Sequence, residues 1–323
     1  MSTLKRLVKK FLRACGRRYY RTLSLPAMWR FRNRAAIRRY RSAPPIVSDV
    51  GRAIIGELER TGIAVTRADA LLGGKRVVEL IAYARERWES PAVRARAERS
   101  HDERAGESTR AKSYFLVNLW EGPAVLDFAH PFTRFSLDEA ILGTVAGYLG
   151  MWPKFRGWAL EATVPMPTSR DRFASQRWHR DPEDQKLVKV FLYLNDVDED
   201  AGPFTYVQFS HSGGKWRSLF AQEPPAGSPK MPPDADNFIP SEDIRVCTGA
   251  AGTIVFCDTS GLHRGGFARE RERLMYTSIY TPPGSFTPIS YSYPEYFSAS
   301  SHLSSLQRFA LENDPHQREP RWH

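Results

Sequence analysis

Apolar positions change their spacing about halfway along the chain, and the predicted elements change with them. Near the start, Leu4, Leu7, Val8, Phe11 and Leu12 recur at i, i+3, i+4, i+7 and i+8, the stripe of one helix face, with Lys5, Arg6, Lys9, Lys10 and Arg13 around it. From Val47, the stretch VSDVGRAIIGELERTGIAVT predicts a capped helix, a glycine turn and a short strand. KRVVELIAYARERWESPAVRARAERS reads as mostly helical, and LDEAILGTVAGYLG, residues 137–150, as a helix ended by glycine. After residue 155 the apolar runs shorten and fill with β-branched and aromatic residues: GWALEATVP, LVKVFLYLNDV, GPFTYVQFSH, GTIVFCD and LMYTSIYTP. This pattern predicts a mainly β protein with flanking helices, an antiparallel sandwich or jelly roll whose helices come from the N-terminal half.

Pro44-Pro45 marks a boundary. We expect a basic amphipathic segment over 1–46, one domain over 47–300 with its β core at about 155–290, and a C-terminal tail over 301–323. The Pro- and Gly-rich stretch 212–243 and the polar stretch 101–112 are candidate lids, since long loops in compact domains are often functional.

Composition narrows the class. Of 323 residues, 41% are hydrophobic and 12% aromatic, enough for a sizeable core. No apolar run is long enough for a membrane-spanning helix. Cys15, Cys247 and Cys257 form no CxxC pair, which favours a reducing, cytoplasmic setting. The formal charge of +11 is local: residues 1–48 hold fourteen Lys and Arg and no acid, leaving 33 basic and 36 acidic residues elsewhere. A near-neutral body does not predict a nucleic-acid partner. The basic N-terminus fits peripheral contact with an anionic membrane through residues 3–21. It equally fits a helix packed on its own domain, a charged arm, or a transit peptide.

Candidate chemistry lies in QRWHRDPEDQ, residues 176–185. On a strand, His179 and Asp181 point to one face and can hold one metal ion together. His263, after the strand GTIVFCD, offers a third ligand. Two histidines and a carboxylate with open positions opposite make the facial triad of non-haem Fe(II) oxygenases, although a zinc hydrolase uses the same ligand types. Arg273, ten positions beyond His263, can grip a dicarboxylate in two-pronged fashion.

These stretches, WHRDPEDQKLVKVFLYLNDVDEDAGPFTYVQFSH, then GTIVFCDTSGLHRGG and Arg273, resemble the phytanoyl-CoA dioxygenase family, most strongly over 176–283. The resemblance implies a double-stranded β-helix (jelly-roll, cupin-like) core and an oxygenase dependent on Fe(II), 2-oxoglutarate and O2. It implies that His179, Asp181 and His263 hold iron and that Arg273 binds the distal carboxylate of 2-oxoglutarate. Phe191 would line the co-substrate pocket, and Lys189 shares its strand face. The intact Asp181 implies hydroxylation, because halogenating members replace that carboxylate with a small residue. The family often has Pro-Gly-Ser-His where this chain has QFSH, residues 208–211. The expected substrate is a small organic or lipid-linked molecule. An inactive membrane-associated module on the same fold and a zinc-dependent hydrolase are the competing readings.

Overall fold

The structure is a computed structural model; it describes residues 11, 14–16, 18–105, 115–120, 126–166, 171–223, 227–228, 231–232, 234–285 and 302–312. Two short helices, α1 (Pro26–Arg32) and α2 (Arg34–Ser42), precede the helix α3 (Asp49–Thr61) and the strand β1 (Ile63–Arg67). There follow α4 (Ala68–Leu72), α5 (Gly74–Glu89), α6 (Pro91–Ala105), β2 (Leu116–Asn118), α7 (Pro131–Ser136) and α8 (Glu139–Leu149). The β-rich half contains β3 (Lys154–Thr163), β4 (Val188–Tyr193), β5 (Phe204–Val207), β6 (Ile244–Cys247), β7 (Thr253–Cys257), β8 (His263–Arg264) and β9 (Arg273–Thr281), and α9 (Ser305–Leu311) closes the described chain.

The strands pair antiparallel in two sheets, one ordered β1-β7-β4-β9-β3-β2 and the other β6-β5-β8. A bridge from His179 to His263 adds the segment before β4 to the edge of the smaller sheet. From β3 onward the chain crosses repeatedly between the sheets: β3 large, the His179 segment small, β4 large, β5 and β6 small, β7 large, β8 small, β9 large. That alternation is the jelly roll expected from the strand pattern.

Period-two patterning explains the two faces of the large sheet. Leu160, Val188, Val190, Leu192, Ile254, Phe256 and Tyr276 point outward into a core shared with α3, α5 and α8. Ile63, Phe191, Val255 and Cys257 point inward and meet Phe204, Tyr206 and Cys247 of the small sheet. The supporting helices have well-defined ends. Ser48 caps α3 by accepting from the Gly51 N–H, Asp138 caps α8 by accepting from the Ala140 N–H, and Gly62 and Gly150 end these helices at φ 85° and 69°.

The chain ends differ from their expected boundaries. α1 and α2, expected within a separate segment 1–46, lie against the body: Asn33 and Ala36 are each 1% exposed, and Trp29, Ile37 and Tyr40 pack on the main core. These five positions form a helical stripe that the surrounding arginines obscure in the sequence. Residues 302–312, expected within a tail, carry α9, whose Leu306 and Phe309 join the same core. Lys154 Nζ donates to the carbonyls of Phe309 and Glu312 at 2.6 and 2.7 Å. The stripe Leu4, Leu7, Val8, Leu12 and residues 106–112 of the polar stretch lie outside the described residues.

Gly62 is where α3 turns into β1. A Cβ there would meet Tyr206 Oη at 2.3 Å and His211 Nδ1 at 2.8 Å, on a backbone already in the left-handed region. Gly62→Ala is expected to cost about 2–4 kcal/mol from the left-handed backbone and the clash together. Urea denaturation reads this directly, and an unchanged midpoint would contradict the packing described here.

Candidate metal centre

Alternation along the His179 segment sorts its side chains. Trp178 and Arg180 point to the outer face of the small sheet, while His179 and Asp181 point inward. The His179 and His263 backbones exchange two hydrogen bonds of 2.9 and 3.0 Å, which places their rings side by side with centroids 4.2 Å apart. Asp181 is fixed by its own N–H donating to the Thr259 carbonyl at 2.9 Å. His179 Nε2 then lies 3.9 Å from Asp181 Oδ1, and His263 Nε2 lies 3.5 Å from Oδ2. One ligand atom from each residue falls within 4.8 Å of the others, the one such grouping among the described residues.

The hydrogen bonds around the rings suit a metal. His179 Nδ1 faces the Arg177 carbonyl at 2.8 Å and His263 Nδ1 faces the Gly261 carbonyl at 3.0 Å. Each Nδ1 must carry the proton to make that bond, so each ring turns its Nε2 toward the Asp181 carboxylate. Burial, helped by His179, pushes the His263 imidazole down to about 3, so it stays neutral. Asp181 is 7% exposed, and its Oδ2 lies 2.6 Å from Lys189 Nζ. Burial would raise this carboxyl, but the Lys189 ammonium, with His263 and His179, outweighs burial and holds it well below the usual carboxylate range. Two imidazoles presenting Nε2 and an ionised carboxylate form a donor set that fits a divalent ion.

Lys189 lies on the inner face of β4, with Nζ 2.6 Å from Asp181 Oδ2 and 3.7 Å from Glu183 Oε1. It is the counter-charge of the two acids. Glu183, two residues beyond Asp181 in the alternating series, was not singled out in the sequence, although the H-x-D-x-E spacing put it in view.

Further along the interior, Phe191 stacks on Phe204 at 4.6 Å, and Phe204 lies 5.7 Å from the His263 ring. Beyond them is Arg273, 2% exposed, at the start of β9. Its guanidinium donates to the Gly202 carbonyl and to Thr163 Oγ1, the latter at 3.0 Å, while Nε has no partner. No carboxylate among the described residues lies within 4.0 Å of it. Burial lowers its affinity for its proton, with Tyr193 and Glu161 acting in opposition. Buried as it is, the guanidinium keeps one donor, Nε, unspent.

The outer face holds what sequence reasoning missed. Arg180, 4% exposed, does not pair with Asp181. It donates to the carbonyls of Ser210 and Ser260 at 2.6 Å each, Phe220 and Leu219 at 2.9 Å each, and Trp216 at 3.2 Å. The Ser260 contact reaches the turn before His263, so Arg180 ties together the two segments that carry the ligands. Trp178 donates to Asp236 Oδ1 at 2.7 Å and stacks under Arg264 at 4.2 Å. Trp216, Leu219, Phe220 and Met231 pack around Trp178, Val207 and Leu262. Trp216, Leu219, Phe220 and Met231, in the described part of 212–243, therefore pack behind the ligand-bearing segment. In QFSH, Phe209 adopts φ 62°, a left-handed backbone position. Ser210 Oγ accepts from the Leu262 N–H at 2.7 Å, and His211, 3% exposed, contacts the Glu59 carbonyl, a structural role.

No protein-family model matches the chain, and no curated protein matches it. Among solved structures, EctD from S. alaskensis is similar over 74% of this chain and 79% of that one, at 13% identity and a TM-score of 0.48. The non-heme alpha ketoglutarate dependent epimerase SnoN from nogalamycin biosynthesis is similar over 72% of this chain and 83% of that one, at 16% identity and 0.45. AviO1 from Streptomyces viridochromogenes Tue57 is similar over 74% of this chain and 97% of that one, also at 16% and 0.45. At these values, function has to be read from this chain's own side chains.

Two outcomes follow from the contacts. Lys189→Met removes a cation from beside Asp181 and should tighten Co(II) binding several-fold in calorimetry; weaker binding would mean that Lys189 supports the site. Arg180→Gln should weaken Co(II) binding roughly ten- to a hundredfold, as loss of outer support does at metal sites. An affinity equal to that of the unaltered chain would dismiss the anchor.

Proposed function

We propose that the chain is a non-haem iron, 2-oxoglutarate-dependent dioxygenase related to the phytanoyl-CoA dioxygenase family. It would hydroxylate an unactivated C–H bond of a small organic or lipid-linked substrate while 2-oxoglutarate is decarboxylated to succinate. The observation that carries this reading is the convergence of His179 Nε2 and His263 Nε2 on the Asp181 carboxylate, in the interior that also holds the buried Arg273. His179, Asp181 and His263 would hold the iron. When bound, Fe(II) with 2-oxoglutarate supplies the activation of O2 needed to oxidise a C–H bond.

The chain's own residues supply position and environment. The Arg177 and Gly261 carbonyls hold the two imidazoles in the ligating tautomer. Arg273, oriented by Thr163, would grip the distal carboxylate of the co-substrate through its unspent donor. Phe191 and Phe204 form an apolar wall that excludes water between the iron ligands and Arg273. Asp181 occupies the place a halide would need, which favours hydroxylation. A zinc hydrolase has no use for a buried carboxylate grip.

Arg273→Ala should weaken 2-oxoglutarate binding to the Co(II)-loaded protein about ten- to a hundredfold, the loss expected for one charge-assisted hydrogen bond, with metal affinity nearly unchanged. Calorimetric titration measures both constants. Unchanged 2-oxoglutarate affinity would remove Arg273 from the site.

A further inference from the structure

Five of the eight large apolar side chains left exposed among the described residues fall in one short stretch: Phe11, Tyr19, Leu25, Phe31 and Ile46. That stretch lies in the part of the chain, residues 1–48, that has fourteen Lys and Arg and no acid. The coincidence is organised in space. Trp29, Asn33, Ala36, Ile37 and Tyr40 turn toward the body, while Leu25, Arg30, Phe31, Arg34, Arg38 and Arg41 face outward and are exposed. Leu25 and Phe31 are 55% and 57% exposed, and the Arg34 guanidinium lies over the Phe31 ring at 4.2 Å. A basic face that also presents leucine and phenylalanine side chains to water has the chemistry of a membrane interface. A polynucleotide backbone would match the charge but would leave the apolar side chains exposed to water.

We propose that the outward face of residues 19–41 is a docking surface for an anionic lipid bilayer. The arginines engage lipid headgroups, and Leu25 and Phe31 enter the boundary between headgroups and acyl chains. The same helices are fastened beside the metal centre. Trp29 Nε1 donates to Asp184 Oδ1 at 2.7 Å, Asn33 Oδ1 accepts from the Gly284 N–H at 2.8 Å, and Ser285 Oγ donates to the Glu183 carbonyl at 2.5 Å. Docking therefore holds the Asp181–Asp184 segment close to the bilayer, which suits a substrate carried by lipid; this last clause rests on the oxygenase reading, whereas the docking does not.

The test is sedimentation of the full chain with vesicles made of equal parts phosphatidylglycerol and phosphatidylcholine, against vesicles of phosphatidylcholine alone. The chain should pellet with the first and not with the second, and about 1 M salt should release most of it. The double variant Leu25→Ser and Phe31→Ser, at exposed positions where the fold is untouched, should lower partitioning about tenfold or more. Failure to pellet with anionic vesicles overturns the proposal, including the case where the chain is held by heparin and not by vesicles. Equal pelleting of the double variant overturns it as well. Neither readout needs iron or turnover, so failure here is separate from failure of the oxygenase reading.

Discussion

The reciprocal backbone pair between His179 and His263 is the constraint on which the site depends. It brings together two segments more than eighty residues apart and sets their register to the residue. With register fixed, strand alternation sends both imidazoles and Asp181 to the interior, and Trp178 and Arg180 to the exterior. A one-residue slip would bury a guanidinium among the ligands and expose the imidazoles. Arg180 protects against this slip, because its guanidinium holds the carbonyls of Ser210 and Ser260 on one side and of Trp216, Leu219 and Phe220 on the other. Burying a charge usually requires an acid. Here a ring of carbonyl dipoles serves, and burial still pushes the guanidinium down to about 10.

The interior has an electrostatic logic that complements this frame. Lys189 balances Asp181 and Glu183 at the ligand end, while Arg273 lacks an acid partner within ion-pair distance at the other end. Between them, Phe191 and Phe204 make the local environment apolar, so every remaining charge interaction is strengthened. Under the proposed oxygenase reading, a dicarboxylate is the ligand whose two charged ends would suit the metal ligands and Arg273.

Much of this was legible in the sequence, for identifiable reasons. The strands β3, β4, β5, β7 and β9 follow from period-two runs of β-branched and aromatic residues, and α3 and α8 from caps that the structure uses as written. His179, Asp181 and His263 come together because alternation and sheet pairing are strong rules. What escaped had weak or ambiguous local signals. β6 is four residues long, and its Val246 faces solvent, so no alternation marked it. α1 and α2 carry their inward stripe through a run of arginines that reads as a solvated arm. The role of Arg180 could not be read because its partners are carbonyls, which leave no trace in side-chain chemistry. The packing of Trp216, Leu219 and Phe220 against Trp178 was not legible either, because proline and glycine mark irregular chain equally well whether it is free or packed.

The most direct measurement is the optical spectrum of the purified chain under anaerobic conditions after addition of Fe(II) and 2-oxoglutarate. A weak visible charge-transfer band from the chelated co-substrate should appear, and it should vanish in Asp181→Ala protein that remains folded. If folded protein shown to contain Fe(II) gives no band, or if the band persists without Asp181, then His179, Asp181 and His263 are not the iron ligands of a 2-oxoglutarate oxygenase.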